Sequence, residues 1–284
     1  MTTRRTRTMG ALALTTVLVA GLAACSDSAA PSGGSGGTAG GGGGEFKVGI
    51  KFDQPGIGLK QGSSYAGLDV DVATYVAKKL GYDAPTFVQA PSAQRESLIS
   101  TGQVQMVVAS YSITDARKQK VSFAGPYFIA GQDLLVRSDD SAITGPDALG
   151  GKTLCSVTGS TSAQKIKDQY PDVQLQNFGT YSECVTALAA GSIDAVTTDN
   201  TILAGFAAQD QYKGKLKVVG KTFSTERYGI GLKKGDTALC TKINEALTTM
   251  VSDGTWKKAV DDNLGPANFQ IDSAVNPPKP DACS

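Results

Sequence analysis

The chain has 284 residues, with 27 Lys and Arg against 26 Asp and Glu and a formal net charge of +1, a balance that implies neither nucleic acid nor an acidic surface as a partner. Histidine is absent, which removes Ser-His-Asp and Cys-His catalytic arrangements and most zinc sites. The stretch from Glu45 to Ser284 is long enough for two compact lobes, each with its own core.

Arg4, Arg5 and Arg7 precede an apolar stretch from Ala11 to Ala24, the layout of an export signal over residues 1–24. That apolar run is shorter than the roughly 20 residues needed to cross a bilayer. It ends at Leu22-Ala23-Ala24-Cys25, and residues 25–44 follow as a cysteine and a stretch of almost only Gly, Ser, Ala, Thr and Pro. Such a composition buries nothing and reads as a flexible tether. Phe46, Val48, Ile50 and Phe52 alternate with polar residues or Gly, predicting a strand over Glu45–Phe52. A helix opens at Leu68, carries apolar residues at Val72, Tyr75, Val76 and Leu80, and stops at Gly81. A helix near Ser92–Thr101 leads into a strand at Val104–Ala109. Further on, Leu154–Val157 reads as a strand, Ser162–Gln169 and Tyr181–Ala190 as helices, and Ile193–Thr197 as a strand. This alternation is the pattern of α/β layers with largely parallel sheets. The Gly33–Gly44 tract is low complexity, and there is neither a G-x-x-x-x-G-K-[ST] run nor a G-x-G-x-x-G after a strand, so no cofactor is expected.

Apart from Cys25 the cysteines are Cys155, Cys184, Cys240 and Cys283. An even number in an exported chain favours disulfides over metal ligation, and no metal site is expected. Of the possible pairings, Cys155 with Cys184 and Cys240 with Cys283 is favoured, with free buried thiols as the alternative. The first pair would join a strand to a nearby helix, the second a late helix to the C-terminal tail.

Leu22-Ala23-Ala24-Cys25 resembles the bacterial lipobox, which implies cleavage before Cys25, lipid on that cysteine and a place on the extracytoplasmic face of the cell membrane. Gly67-Leu68-Asp69-Val70-Asp71, Tyr111-Ser112-Ile113-Thr114-Asp115-Ala116-Arg117 and Ser122-Phe123-Ala124-Gly125-Pro126-Tyr127 are similar to the polar amino-acid solute-binding proteins of bacterial ABC importers, solute-binding family 3. Gly159-Ser160-Thr161-Ser162, Gly191-Ser192-Ile193-Asp194-Ala195 with Asp199, Tyr228-Gly229-Ile230-Gly231-Leu232 and Asp253-Gly254-Thr255-Trp256 continue that family's order. Within it, residues 49–56 and 154–161 most resemble the actinobacterial glutamate-binding lipoproteins. The resemblance implies an α/β, two-lobed periplasmic-binding-protein-like fold of type II, with two hinge strands and the ligand cleft between the lobes. Lobe 1 would be residues 45–131 and 229–284, and lobe 2 residues 132–228 with the hinge strands. The function it implies is capture of a polar amino acid, glutamate ahead of aspartate, glutamine and asparagine. A monomer would deliver it to ABC permease subunits, without catalysis.

A zwitterionic amino acid needs both of its charges answered in a desolvated cleft. By resemblance Arg117 clamps the α-carboxylate, for which a planar guanidinium is suited; beside Lys118 and Lys120 it also reads as a solvated loop arginine. Asp199 follows a strand at its carboxyl end, where open α/β sheets place ligands, and by resemblance pairs with the α-ammonium. It reads equally as a helix N-cap before Ile202. Ser110 and Ser112 would offer a carbonyl to the ammonium and a hydroxyl or amide to the carboxylate. Thr161, at a helix start, would give a backbone N–H, or simply cap the helix. Arg95 matches the position that reaches a distal carboxylate, and Lys51 points from the first strand opposite Ile50 and Phe52. Two such cations favour a dicarboxylate. Phe52 and Tyr111 are candidates for an aromatic platform. A dehydratase-like enzyme and a sensor module are the alternatives on the same fold.

Overall fold

The structure is a computed structural model that describes residues 44–283. The expected export signal, Cys25 and the tether up to residue 43 lie outside the described residues. In chain order the elements are β1 (Lys47–Ile50), β2 (Asp53–Gln54), β3 (Gly58–Gln61), β4 (Ser64–Ala66), α1 (Leu68–Lys79), β5 (Thr86–Gln89), α2 (Arg95–Ser100), β6 (Met106–Ser112), α3 (Asp115–Lys118) and β7 (Ser122–Ala130). They continue as β8 (Gln132–Arg137), β9 (Thr153–Val157), α4 (Thr161–Gln169), β10 (Gln174–Phe178), α5 (Tyr181–Ala189), β11 (Ala195–Asp199), α6 (Asn200–Ala208) and β12 (Leu216–Val218). The last are β13 (Glu226–Leu232), α7 (Thr237–Ser252) and α8 (Thr255–Leu264).

These build two five-stranded sheets, ordered β5-β1-β6-β13-β7 and β10-β9-β11-β8-β12, and a small β2-β3-β4 sheet. In the first, β1 is parallel to β5 and β6, whereas β13 runs antiparallel to β6 and β7. In the second, β9 is parallel to β10 and β11, and β8 runs antiparallel to β11 and β12. Both sheets are therefore mixed rather than largely parallel. The antiparallel strands of each are the ones next to the crossings, because a chain arriving from the other lobe enters its sheet from the cleft end. The outward crossing is at Gly131, where an added Cβ would lie 2.8 Å from the Thr222 side chain on the return segment, so only glycine lets the two crossings pass this closely.

Each sheet is covered on both faces, as parallel strand pairs require. On the first, α1 contributes Val72 and Val76, α7 Ile243 and Leu247, and α8 Trp256 and Val260, all buried. Leu98 and Ile99 of α2 pack on the other face against Val107 and Ala109. On the second sheet Ile166 of α4 meets Leu134, Val136 and Leu154, while Val185 and Leu188 of α5 and Phe206 of α6 cover the opposite side.

The favoured cysteine pairing is the one present. Cys155 on β9 bonds Cys184 on α5, and Cys240 on α7 bonds Cys283, with Cα atoms 5.7 and 5.9 Å apart. The second bridge secures a C-terminal tail laid along the edge strand β7. The Asn276 amide accepts from Ile129 N and donates to Ile129 O, each at 2.9 Å, and Asp281 N donates to Gly125 O at 2.8 Å. The Arg227 guanidinium reaches both Asp281 oxygens, at 2.7 and 2.8 Å.

Candidate ligand cleft

The carboxyl ends of β1, β6, β9 and β11 converge between the lobes on a small, partly open polar cavity, as expected for open α/β sheets. Gln54, Ser92, Arg95 and Ser110 line it from the first lobe. Thr161, Tyr181, Thr198 and Asp199 line it from the second.

Arg95 opens α2 and is 2% exposed. Its Nη1 donates to Ala109 O at 3.0 Å, while its buried Nε has no hydrogen-bond partner among the described residues. Burial, helped by the nearby Arg117 charge, brings its pKa down to about 10, so it stays a cation at neutral pH. Lys51 is not in the lining but reaches its rim, donating from Nζ to Ser92 Oγ at 2.8 Å. Burial, then Arg95, lower the ammonium to about 7.

Asp199 ends β11 at the N-cap position of α6, yet its side chain makes no capping bond. Oδ2 accepts from the Tyr228 hydroxyl at 2.6 Å, and the buried Oδ1 has no partner among the described residues. Burial, then the charge of Glu226, push this carboxyl up to about 8. Thr161 does not cap α4 either. Ser160 does, accepting from Ala163 N at 3.0 Å, and the Thr161 hydroxyl donates to Glu226 Oε2 at 3.1 Å, with Ser112 Oγ 3.3 Å away.

Ser110 holds a left-handed backbone, φ 43°, which a side chain disfavours. The conformation is fixed from outside. Its N–H donates to Asp69 Oδ2 at 2.7 Å and its hydroxyl to Gln54 Oε1 at 3.1 Å. Asp69 is fully buried, also accepts from Tyr127 Oη at 2.5 Å, and is pushed up to about 7 by burial. The residue in the Gly-Leu-Asp-Val-Asp motif thus shapes the cleft strand from behind, a role its sequence position in a helix first turn did not suggest.

Arg117 is buried, not a solvated loop residue. Its Nη1 donates to Ser112 O at 2.9 Å, its Nη2 crosses to Gly159 O of the second lobe at 3.1 Å, and its Nε faces Glu96 Oε1 at 3.7 Å. It and Ser112 stand beside the cavity rather than in its lining. Neither platform candidate lines it. Phe52 packs on Tyr65 at 5.2 Å under Lys60, and Tyr111, wholly buried, has Arg95 and Arg117 over its ring, 4.2 and 4.9 Å from the centroid. The aromatic in the lining is Tyr181, whose sequence pattern marks only a helix start; an aromatic opening a helix after a strand's carboxyl end is the signal that points to it.

The lobes are held together around this cavity. Asp53 Oδ2 of the first lobe accepts from Tyr181 N at 3.1 Å and Ser182 N at 3.3 Å, placing a carboxylate on the N-terminus of α5 in the second. A Cβ on Gly159 would sit 2.7 Å from Ala93 Cα, and one on Gly205 only 2.0 Å from Pro55 O. Among the described residues no group of His, Cys, Asp and Glu could hold a metal ion. The Arg95 guanidinium on one lobe, with Arg117 beside it, and the under-satisfied Asp199 carboxyl on the other complement a small molecule carrying both charges.

The model of bacterial extracellular solute-binding proteins, family 3, matches residues 46–266. The glutamate-binding protein GluB of Corynebacterium glutamicum is 48% identical over 290 residues, covering 97% of each chain. The ABC transporter glutamine-binding protein GlnH of Bacillus subtilis is 39% identical over 213 residues, 73% of this chain and 77% of that one. Among solved structures, an ancestral arginine-binding protein bound to glutamine superposes with a TM-score of 0.73 at 35% identity, over 78% of this chain and 98% of its own. With its two α/β lobes in the type II arrangement, the chain belongs to the bacterial extracellular solute-binding proteins of family 3.

Proposed function

We propose that this protein is the lipid-anchored, extracytoplasmic binding subunit of an ABC importer and that its ligand is glutamate. The observation that carries the reading is a set of unpartnered polar atoms in the residues lining one cavity: Arg95 Nε and the neutral amide Gln54 Nε2 from the first lobe, and Asp199 Oδ1 from the second. Neither the Arg95 Nε nor the Asp199 Oδ1 has a hydrogen-bond partner among the described residues, and the carboxylate and ammonium of an amino acid supply both. Asp199, with the Ser110 carbonyl, takes the α-ammonium. Arg117, released from Gly159 O as the lobes part, takes the α-carboxylate with Ser112 and the Thr161 N–H. Arg95 and Lys51 take the distal carboxylate. Glutamine offers no charge to that pair and would leave the Arg95 guanidinium, which stays a cation at neutral pH, without a counter-ion in a buried site. The naming of the corynebacterial relative for glutamate supports the same choice.

In this reading the lobes divide as 45–131 with 229–284 and 132–228, a monomer closes on its ligand, and Cys25 carries the lipid. Cys25→Ala would then release the protein into the medium. The ligand is tested by thermal shift and calorimetry against the common amino acids, since a ligand that binds only the native state raises its apparent stability. Glutamate is expected to give the largest shift; no response, or an equal one to glutamine, overturns the assignment. A carboxyl held near 8, as Asp199 is, also suits a general acid, the observation that favours an enzymatic reading. Glutamate recovered chemically unchanged from the protein excludes it.

A further inference from the structure

Arg95 and Arg117 are like charges brought into one buried region, an arrangement that low dielectric penalises unless something compensates. Arg117 has its own supports, in Ser112 O, Gly159 O and Glu96. Arg95 makes a single hydrogen bond among the described residues, from Nη1 to Ala109 O. Besides the Glu96 carboxylate, which acts on both, the two share Tyr111, whose ring lies within cation–π distance of both guanidiniums. The ring is itself fixed. Phe123 meets it edge-on at 4.9 Å, and Gly231 on β13 leaves it room, since a Cβ there would lie 2.7 Å from a ring carbon. Its neighbours on the same strand are Ser110, which lines the cavity, and Ser112, which stands beside it.

We propose that Tyr111 is a positioning residue that holds Arg95 and Arg117 as a pair and thereby sets the preference of the cleft for a dicarboxylate amino acid over its amide. The assignment rests on the glutamate reading above. It goes beyond that reading by placing part of the selectivity in a residue that does not line the cavity.

The test compares purified full-length protein with Tyr111→Leu, Tyr111→Met and Tyr111→Phe, measuring glutamate and glutamine affinities by calorimetry and folding by circular dichroism. Met fills much of the ring volume without an aromatic face, so a folded non-aromatic variant is available even where Leu collapses the site. The glutamate-to-glutamine affinity ratio falls about tenfold in the folded Leu or Met variant, the loss of a desolvated cation–π contact, and is restored in Phe. A ratio unchanged in a folded non-aromatic variant, or lost equally in Phe, overturns the role of Tyr111 alone. Unaltered protein that binds neither amino acid overturns the glutamate reading and this assignment together.

Discussion

Asp53 offers the sharpest test of how the lobes close. Its carboxylate belongs to the first lobe but accepts two backbone N–H bonds, and a 3.4 Å contact from Ser182 Oγ, at the first turn of α5 in the second. This is a capping interaction made between lobes. Caps contribute about 0.5–2 kcal/mol and a carboxylate near a helix N-terminus about 0.3–1 kcal/mol. Asp53 is only half-buried, so about 1 kcal/mol is the fair value for Asp53→Ala, a factor of about 5 in an equilibrium constant. Because the bonds exist only when the lobes meet, the loss falls on the closed form and weakens ligand binding about fivefold. Helix α5 itself does not depend on Asp53. Thr180 and Glu183 form a capping box of their own, with Glu183 Oε2 accepting from Thr180 N at 2.8 Å. The variant therefore keeps the thermal midpoint of ligand-free protein while its calorimetric Kd for glutamate rises. An unchanged Kd, or a lowered midpoint with unchanged Kd, would refute an interlobe latch.

Arg95→Gln removes the buried charge proposed to meet the distal carboxylate and should weaken glutamate by about 10–100-fold while changing glutamine far less; equal losses remove that role. Asp199 gives a pH dependence of defined sign. Its carboxyl is pushed up to about 8, and pairing with an ammonium requires the ionised form, so binding below that pH releases a proton. Affinity should rise with pH toward 8 and proton release should appear as buffer-dependent binding heat near pH 7; a flat profile contradicts the pairing. Cys283→Ser opens a loop of sequence separation 43 and should lower unfolding stability by roughly 4 kcal/mol in denaturant melts, with no loss meaning that the tail adds nothing to the native state.

Much of this was legible where local pattern decides structure. Alternating apolar residues announced β1, helical spacing announced α1, and α5 begins at the Tyr181 that its pattern marked. The cysteine pairs followed from which segments lie in one lobe. The site was legible only in part, because its geometry depends on partners far along the chain. Asp69 reads as an acidic residue welcome in a helix first turn, and its grip on Ser110 spans 41 residues. Asp53 carries no local signal of its role, and the Tyr181 amide it accepts from on α5 lies 128 residues further on. Asp199 occupies a capping position, as its sequence context suggested, but spends its side chain on Tyr228, an outcome fixed by which strand returns to the first sheet. The mixed direction of both sheets has the same origin, since no local pattern shows that the chain leaves one lobe and comes back.

The tail along β7 has a consequence for how copies of the molecule meet. An outer strand offers a row of free amides and carbonyls on which a second chain can grow a sheet. Here the Asn276 amide occupies both backbone groups of Ile129, imitating one residue of a neighbouring strand and then ending the ladder. Gly125 is filled by Asp281, and Cys283 bolts the plug in place. A protein tethered to a surface, as proposed for this one, is confined to a thin layer where encounters are frequent. The tail removes the β7 edge as a place where a second copy could add a strand in that layer.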